Sequence, residues 1–490
     1  MSLPVMPTRI LIVGAGAREH ALAWKLAAEP GVNLVVVAPG SAAIGREARV
    51  RSLPAVDPLE PGAVVDAARV VSAELVVIGP EAPLEAGVAD ALVAARIPVF
   101  GPSRAAARIE TSKAFCHEVA AAAGVPMARA RAFGLADEDA AYAFAEELAE
   151  AGHGLVVKAD GLAAGKGVAV CDDLAAAEAA LAGAFERAIR HDDRQRRERR
   201  EHRDRQAAQA IEAEPTEDAP IVLLEQRLFG REASVIAVSD GRIALALPAA
   251  RDHKRLTDGD RGPNTGGMGA YSPVPDLPDQ DAAGLLATIH GPILAELVRR
   301  DAPFRGFLYA GLILTANGPV LLECNARLGD PEAQAILPRL SGALGPVLLA
   351  AANGDLGSIV RTLGAGTVAL PTFPGATVGI VVAADGYPDA PRRGDRIAGL
   401  AEAGALGGLV FHAGTLARDE GGFTTNGGRV LTVVGRGTDL AEARAAAERA
   451  AEPVHWPGAQ RRHDIAADAL PATAAGVTDA ATATAAASAR

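Results

Sequence analysis

A chain of 490 residues has room for about three domains, and with 49% hydrophobic but only 3% aromatic residues its cores must be packed by alanine and aliphatic side chains. A formal net charge of −12 excludes general adhesion to nucleic acid or to an anionic membrane. The three cysteines, Cys116, Cys171 and Cys324, form no Cys-x-x-Cys pair, which argues against a disulfide framework or a thiolate zinc site and for a reducing compartment.

The N-terminal text MSLPVMPT lacks the basic segment and apolar run of a signal peptide, and no apolar run reaches the eighteen or so residues of a membrane span. The expected setting is cytoplasmic. Residues 9–13 (RILIV) predict a buried parallel strand closed by Gly14, and a helix follows from about Arg18 to Ala28. Residues 32–38, 75–78 and 99–100 predict further strands with alanine-rich helices between them, hence a parallel sheet with right-handed crossovers. The loop Gly14-Ala15-Gly16-Ala17-Arg18-Glu19-His20 aims backbone N–H groups at an anion. It lacks the third glycine of a dinucleotide fingerprint, and no acid ends the second strand, so the phosphate of a smaller ligand fits better than NAD. On this loop alone an unliganded glycine turn is an equal reading. Gly79-Pro80-Glu81-Ala82-Pro83-Leu84 ends another strand on the same edge, where open α/β sheets form their ligand crevice.

Ser112 and Lys113 stand near the start of a helix ended by Gly124 and Pro126; any single lysine is by default a surface one. Residues 154–173, GLVVKADGLAAGKGVAVCDD, predict a hairpin with Lys158 inside an apolar strand and a glycine-rich tip carrying Gly165, Lys166 and Gly167. It is no Walker A loop, because no Gly-Lys-Ser/Thr opens a helix, but its N–H groups and two lysines suit phosphates. Residues 221–235, IVLLEQRLFGREASV, read as a second strand pair, with Glu225 at a hinge suited to adenine and Glu232 within reach of a ribose hydroxyl. Between these lies 186–218, where arginine and acid interleave; it reads as an exposed charged helix or a disordered insertion, without the aromatics of a nucleic-acid platform.

The stretch 321–334, LLECNARLGDPEAQ, carries the most chemistry. Side chains at i and i+2 share a strand face, so Glu323 and Asn325 point together while Cys324 points away. Carboxylate and amide oxygens side by side are hard donors suited to Mg²⁺. Arg327 keeps the same parity if the strand lasts that far, and would hold an anion. The same text also fits a solvated strand end. From about Gly364 the chain predicts an α+β domain with a helix from about Leu440 to Ala451, and 471–490 read as a disordered tail.

Together these residues resemble the glycinamide ribonucleotide synthetases. The segments VGAGAREHALAWKLA, APG, GPEAPL, ETSKAF, KADGLAAGKGV, DHKR, GPNTGGMGAYSP, GFLYAGL and RLGDPEAQ occur in family order from about Arg9 to about Leu470. The resemblance implies an α/β and α+β multidomain protein. Residues 1–108 would be an N-terminal parallel α/β substrate domain, and 109–130 with 222–363 an ATP-grasp core. Residues 131–221 would form a mobile lid holding the charged insert, and 364–470 the C-terminal α+β domain. It implies ATP-dependent ligation of glycine to 5-phosphoribosylamine, with Mg²⁺ or Mn²⁺, by a monomer that uses neither nucleic acid nor membrane. Lys113, Lys158, Gly165, Lys166, Gly167, Glu225 and Glu232 fall at its ATP-binding positions, and Glu323 and Asn325 at the metal. Gly14, Gly16, Arg18, Glu19, His20, Pro80 and Glu81 fall at the phosphoribosylamine site, and Asn264, Gly266 and Gly267 in a further substrate loop. Arg327, Lys158, Asp252 and Lys254 are the catalytic candidates, with Asp252 taking the glycine ammonium and Arg327 its carboxylate. Gly311 stands where many ATP-grasp enzymes carry an acid, so two protein metal ligands are expected, and the charged insert is atypical. A nucleotide-dependent oxidoreductase lacks its third glycine here, a non-catalytic nucleotide binder would not need the lysines and the Glu-x-Asn pair, and a different ATP-grasp ligase does not fit RLGDPE.

Overall fold

The structure, a computed structural model, describes residues 5–161, 167–205 and 221–470, and for 190–205 the backbone only. Gly165, Lys166, most of the predicted mobile tip, the end of the charged insert and the predicted tail lie outside the described residues.

The N-terminal sheet consists of Arg9–Gly14, Leu34–Pro39, Val50–Ser52, Leu75–Ile78 and Val99–Phe100, all parallel, in the spatial order third, second, first, fourth, fifth. Ile10 to Val13 and Val35 to Val37 are buried on both faces, as a parallel sheet covered by helices requires. The strand order turns between the first and fourth strands, so loops 14–20 and 79–84 emerge side by side at the carboxyl edge. The short strand Val50–Ser52 was not predicted; three residues carry too little periodicity to read.

The lid sheet runs Ala130–Phe133, Val222–Gln226, Leu155–Ala159, Val168–Cys171, all antiparallel, and includes the predicted lysine hairpin. Helices Glu138–Glu150 and Leu174–Arg205 pack on it through Phe144, Leu148, Leu181 and Phe185. The charged insert thus begins as a continuation of the second of these helices. The expected strand pair at 221–235 is not a pair. Val222–Gln226 stays in the lid, whereas Arg231–Asp240 runs in the central sheet with Ala244–Ala246, Arg305–Thr315 and Gly318–Asn325. Packing decides this. Val222 and Leu224 belong to the lid core, Ala233 and Val235 to the core shared by the N-terminal and central sheets. The crossing passes Gly230, where a Cβ would sit 2.3 Å from the Leu314 carbonyl oxygen.

Among the described residues one stretch, Asp279–Arg299, is long and apolar enough to cross a membrane by length and composition, contrary to the sequence reading. It is helix Asp279–Gly284, a π turn and helix Gly291–Arg299 in succession, and it buries Ala282, Ile289, Ile293, Leu294 and Leu297 in the same core as Phe304. It reads as a core helix.

The C-terminal sheet orders Arg251–Asp252, Gly269–Ser272, Ala376–Ala383, Arg429–Gly437 and Leu409–His412 antiparallel, with helix Leu440–Ala451 across it. Its first two strands come from the middle of the chain, so this sheet is joined directly to the segments that build the site.

Candidate active site

Strand Gly318–Asn325 ends at Asn325, and Glu323 and Asn325 do share a face: the Asn325 amide donates to Glu323 Oε1 at 3.5 Å. Gly311 lies opposite Glu323 in the register, where a Cβ would come within 3.1 Å of Glu323 Cγ. Cys324 points into the core and meets the Cys116 thiol, both sulfurs free. Burial alone would favour a neutral Glu323, but Lys254, Lys158 and Arg327 outweigh it and hold the carboxyl below its ordinary range. An ionised carboxylate beside an amide oxygen fits a hard divalent cation that takes its remaining ligands from phosphate and water. Among the described residues no cluster of three His, Cys, Asp or Glu side chains surrounds a metal position.

Lys158 reaches out of the lid onto this strand. Its ammonium is ion-paired with Glu225 at 2.7 Å and donates to the Leu322 carbonyl at 3.3 Å. Glu225 is buried, and His117 takes its other oxygen at 2.7 Å. Lys113 opens helix Lys113–Ala122 and donates from Nζ to the Gly161 carbonyl at 2.8 Å. Asp160 caps that helix, accepting from the N–H groups of Lys113 at 2.6 Å and Ala114 at 3.1 Å and from the Ser112 hydroxyl at 3.0 Å. The base of the lysine hairpin is thereby fixed to the helix, a role sequence reasoning missed, although Asp160 follows Lys158 at strand parity. Gly167 closes the hairpin, accepting from the Ala159 N–H at 2.7 Å.

Arg327 lies past the strand end, placed by the following turn, and it meets acids. Glu110 holds it at 2.7 Å and Glu81 at 3.2 Å, and it donates to the Leu328 carbonyl at 3.1 Å. Glu110 also accepts the Ala326 N–H at 2.7 Å. Glu81 lies 4.0 Å from Arg18, which in turn grips Glu19 at 2.7 Å and the Leu328 carbonyl at 2.9 Å. Burial would lower Arg327's pKa, yet Glu110 and Glu81 keep it firmly protonated. Glu19 serves as a capping-box residue for helix Ala17–Ala27, accepting the Gly16 N–H at 2.7 Å. It fits only because Gly14, at φ +130°, and Gly79 have no side chains: Cβ atoms there would lie 2.6 and 2.2 Å from it. Pro80 caps the short helix Glu81–Glu85 beside it. His20 turns away from this cluster. Its Nε2 meets Glu47 at 3.1 Å, and its Nδ1 accepts the His412 N–H of the C-terminal sheet at 2.9 Å.

On the far side of Glu323, Lys254 pairs with Glu232 at 2.6 Å. Asp252 is deeply placed; burial first, then Glu332, Glu232 and Glu323, raise its carboxyl to about 7 against the pull of Lys254. Glu332 is buried and receives the hydroxyls of Ser234 and Tyr309, each at 3.0 Å. Gly329 leaves room for it, since a Cβ there would lie 2.4 Å from Glu332 Oε2. Asn264 ends strand Arg261–Asn264, and the turn beyond it packs on the 330–331 turn: a Cβ on Gly267, at φ +108°, would lie 2.4 Å from Pro331 Cδ. Arg429 donates to the carbonyl of Gly266 and to the carbonyl and carboxylate of Asp330. Glu110, His117, Tyr309, Glu332 and Arg429 are functional neighbours that sequence reasoning did not assign.

Four segments thus converge on one strand end, with cations at Lys158, Lys254 and Arg327 around one carboxylate–amide pair. Residues 8–110 match the N domain of phosphoribosylglycinamide synthetase, 111–193 and 200–333 its ATP-grasp (A) domain, and 377–468 its C domain. The interruption falls inside the charged helix. The chain is 45% identical over 465 residues to the phosphoribosylamine–glycine ligase of Leifsonia xyli subsp. xyli, covering 94% of this chain and 100% of that one. It is 44% identical to that of Streptomyces coelicolor, with 94% and 99% covered. The crystal structure of phosphoribosylamine–glycine ligase from Thermotoga maritima superposes with a TM-score of 0.69 at 33% identity, covering 93% of this chain and 100% of that one. A biotin carboxylase complex from Campylobacter jejuni, at 16% identity and a TM-score of 0.62 over 93% of each chain, shares the fold. The chain belongs to the phosphoribosylglycinamide synthetase family.

Proposed function

We propose that this protein joins glycine to 5-phosphoribosylamine at the expense of ATP, giving glycinamide ribonucleotide, ADP and phosphate as a step of purine synthesis. The observation that carries the reading is the ionised Glu323 beside Asn325, ringed by Lys158, Lys254 and Arg327 where the lid, the N-terminal loops and the RLGDPE turn meet. A carboxylate does not acylate an amine directly, because oxide or hydroxide leaves poorly. A glycine carboxylate oxygen attacks the γ-phosphorus, ADP departs, and the resulting glycyl phosphate is attacked at its carbonyl carbon by the amine, releasing phosphate. Both steps bring anions together, so a dense cation cluster in a partly buried site is what the chemistry needs.

Lys113, Lys158, Glu225 and Glu232 form the ATP side, and Gly165, Lys166 and Gly167 are assigned to phosphate binding from the sequence. Glu323 and Asn325 would hold a divalent cation, Mg²⁺ or Mn²⁺, which would neutralise further phosphate charge. Arg327 binds the glycine carboxylate, with Glu81 yielding part of its hold, and Asp252 with Glu332 receives the ammonium. Gly14, Gly16, Arg18, Glu19, Pro80 and Glu81 face the phosphoribosylamine; His20 acts from behind, between Glu47 and the C-terminal sheet. Asn264, Gly266 and Gly267 line the acceptor side, and Lys254 pairs with Glu232 and opposes the effect of burial on Asp252. The protein works as a cytoplasmic monomer on small molecules, without nucleic acid or membrane. The test is ADP release with glycine and phosphoribosylamine omitted in turn: ADP release that requires both supports the reading, and turnover indifferent to either overturns it. Light scattering tests the monomer.

A further inference from the structure

The glycine turn at 265–267 and the turn at 329–332 belong to different segments, and a side chain from a third segment holds them together. Arg429 opens strand Arg429–Gly437 of the C-terminal sheet, where the sequence shows only strand-forming text. Its guanidinium donates to the Gly266 carbonyl, to the Asp330 carbonyl at 2.6 Å and to the Asp330 carboxylate at 3.0 Å. The remaining Asp330 oxygen accepts from the Gln334 amide at 2.7 Å, which fixes the acid for Arg429. The guanidinium packs on Gly266, where a Cβ would come within 3.1 Å of its Cζ. Among the described residues no other side chain hydrogen-bonds to both turns.

What each turn carries gives the clamp its meaning. Thr265 bonds to the Lys254 carbonyl through both its N–H and its hydroxyl, at 2.8 Å each, so the first turn sets the backbone beside Lys254 and Asp252. The second turn leads through Pro331 into Glu332, which Ser234 and Tyr309 hold from the opposite side. The ATP-side residues Lys113, Lys158 and Glu225 make their contacts with the lid, helix Lys113–Ala122 and the Leu322 carbonyl, and bond to neither turn.

We propose that Arg429 is a positioning residue for the glycine half of the site: it fixes the gap between the Lys254–Asp252 edge and Glu332, and so links docking of the C-terminal sheet to glycine binding. This rests on the function proposed above. Arginine suits the task because its rigid planar fork serves two carbonyls and a carboxylate from two separate nitrogens, whereas lysine must aim all its donors from one atom.

The experiment uses full-length Arg429→Ala and Arg429→Lys, with ADP release measured against glycine at saturating ATP and against ATP at saturating glycine. Arg429→Ala raises the glycine KM by about tenfold or more and leaves the ATP KM within about twofold, and Arg429→Lys recovers only part of the loss. Millimolar guanidinium chloride restores activity to Arg429→Ala and not to wild type. Glycine and ATP KM values rising together, no guanidinium rescue, or an unchanged glycine KM overturns the proposal. Wild-type ADP release that ignores glycine overturns the function itself, a result separate from the behaviour of the variants.

Discussion

Glu110→Gln is the sharpest probe of how the site is held. Glu110 sits on helix Arg104–Thr111, with its side chain 5% exposed, and pairs at 2.7 Å with Arg327, itself 19% exposed. Removing one partner of a buried ion pair costs about 3–5 kcal/mol, because the other charge is left desolvated. Here Arg327 keeps Glu81 at 3.2 Å and the Leu328 carbonyl, and the glutamine oxygen still accepts the Ala326 N–H. The expected loss is therefore about 2–3 kcal/mol for Gln, and about 1–3 kcal/mol more for Ala, which orphans that N–H. Denaturant midpoints at constant slope measure both, and a double-mutant cycle with Arg327→Met isolates the pair. The glycine KM should rise with the stability loss, because Arg327 loses the contact that fixes its position. If Glu110→Gln lies within about 0.5 kcal/mol of wild type and the cycle shows no coupling, the pair is not the anchor argued here.

Glu323→Ala should lower ATP turnover by about a thousandfold or more while leaving the circular dichroism spectrum intact; near-normal turnover would remove Glu323 from the metal and phosphate centre. Gly267→Ala places a Cβ 2.4 Å from Pro331 Cδ at a φ of +108°, so strain of about 1–3 kcal/mol should appear as a lowered midpoint together with a raised glycine KM; an unperturbed variant would mean that the two turns do not pack in solution. His412 supplies a pH signature. Burial, then His20 and Arg46, push its imidazole down to about 3 from the ordinary 6.5. A depressed folded pKa gives stability that is complete above pH 6.5 and is lost as pH falls toward 3, at a limiting slope of about 1.4 kcal/mol per pH unit. His412→Gln should flatten the stability profile over that window, and parallel profiles would show that His412 is not buried in the neutral form.

The parts of this molecule that follow a short period were readable in the chain. Strand Arg9–Gly14, the lysine hairpin and helix Leu440–Ala451 stand where apolar periodicity and glycine punctuation placed them. The shared face of Glu323 and Asn325 followed from strand parity alone. Parity fails once the strand stops. Arg327 would continue the row only if the strand lasted that far, but the strand ends at Asn325 and the next turn delivers the guanidinium to Glu110 and Glu81. The expected pairing across 221–235 failed for a related reason. Two adjacent apolar runs look like partners, but which core each fills is a property of the folded whole, and Gly230 lets the chain pass from one sheet to another.

Asp330 and Glu332 show where such reading ends and why. Both belong to the most distinctive text in the chain, yet among the described residues their local side-chain neighbours supply only the Gln334 amide, which donates to Asp330 at 2.7 Å. Their other partners come from elsewhere: Arg429 from the last sheet, Ser234 and Tyr309 from two strands of the central one. A carboxylate's role here is set by what packing brings to it across 23 to 99 positions, and no spacing rule reaches so far. The same holds for Glu110, which anchors the backbone N–H of Ala326, 216 positions away. The Glu323–Asn325 pair is local because two side chains on one strand face need only parity, whereas the acids at the turn beyond it find distant partners because a turn has no register of its own. Buried charges at such a turn persist only when several segments arrive together to satisfy them. That dependence makes the later strands of the C-terminal sheet part of the site, beside the Asp252 carboxylate that its first strand supplies: among the described residues, Arg429 is the charged side chain that bonds the turn carrying Glu332 to the turn behind Lys254.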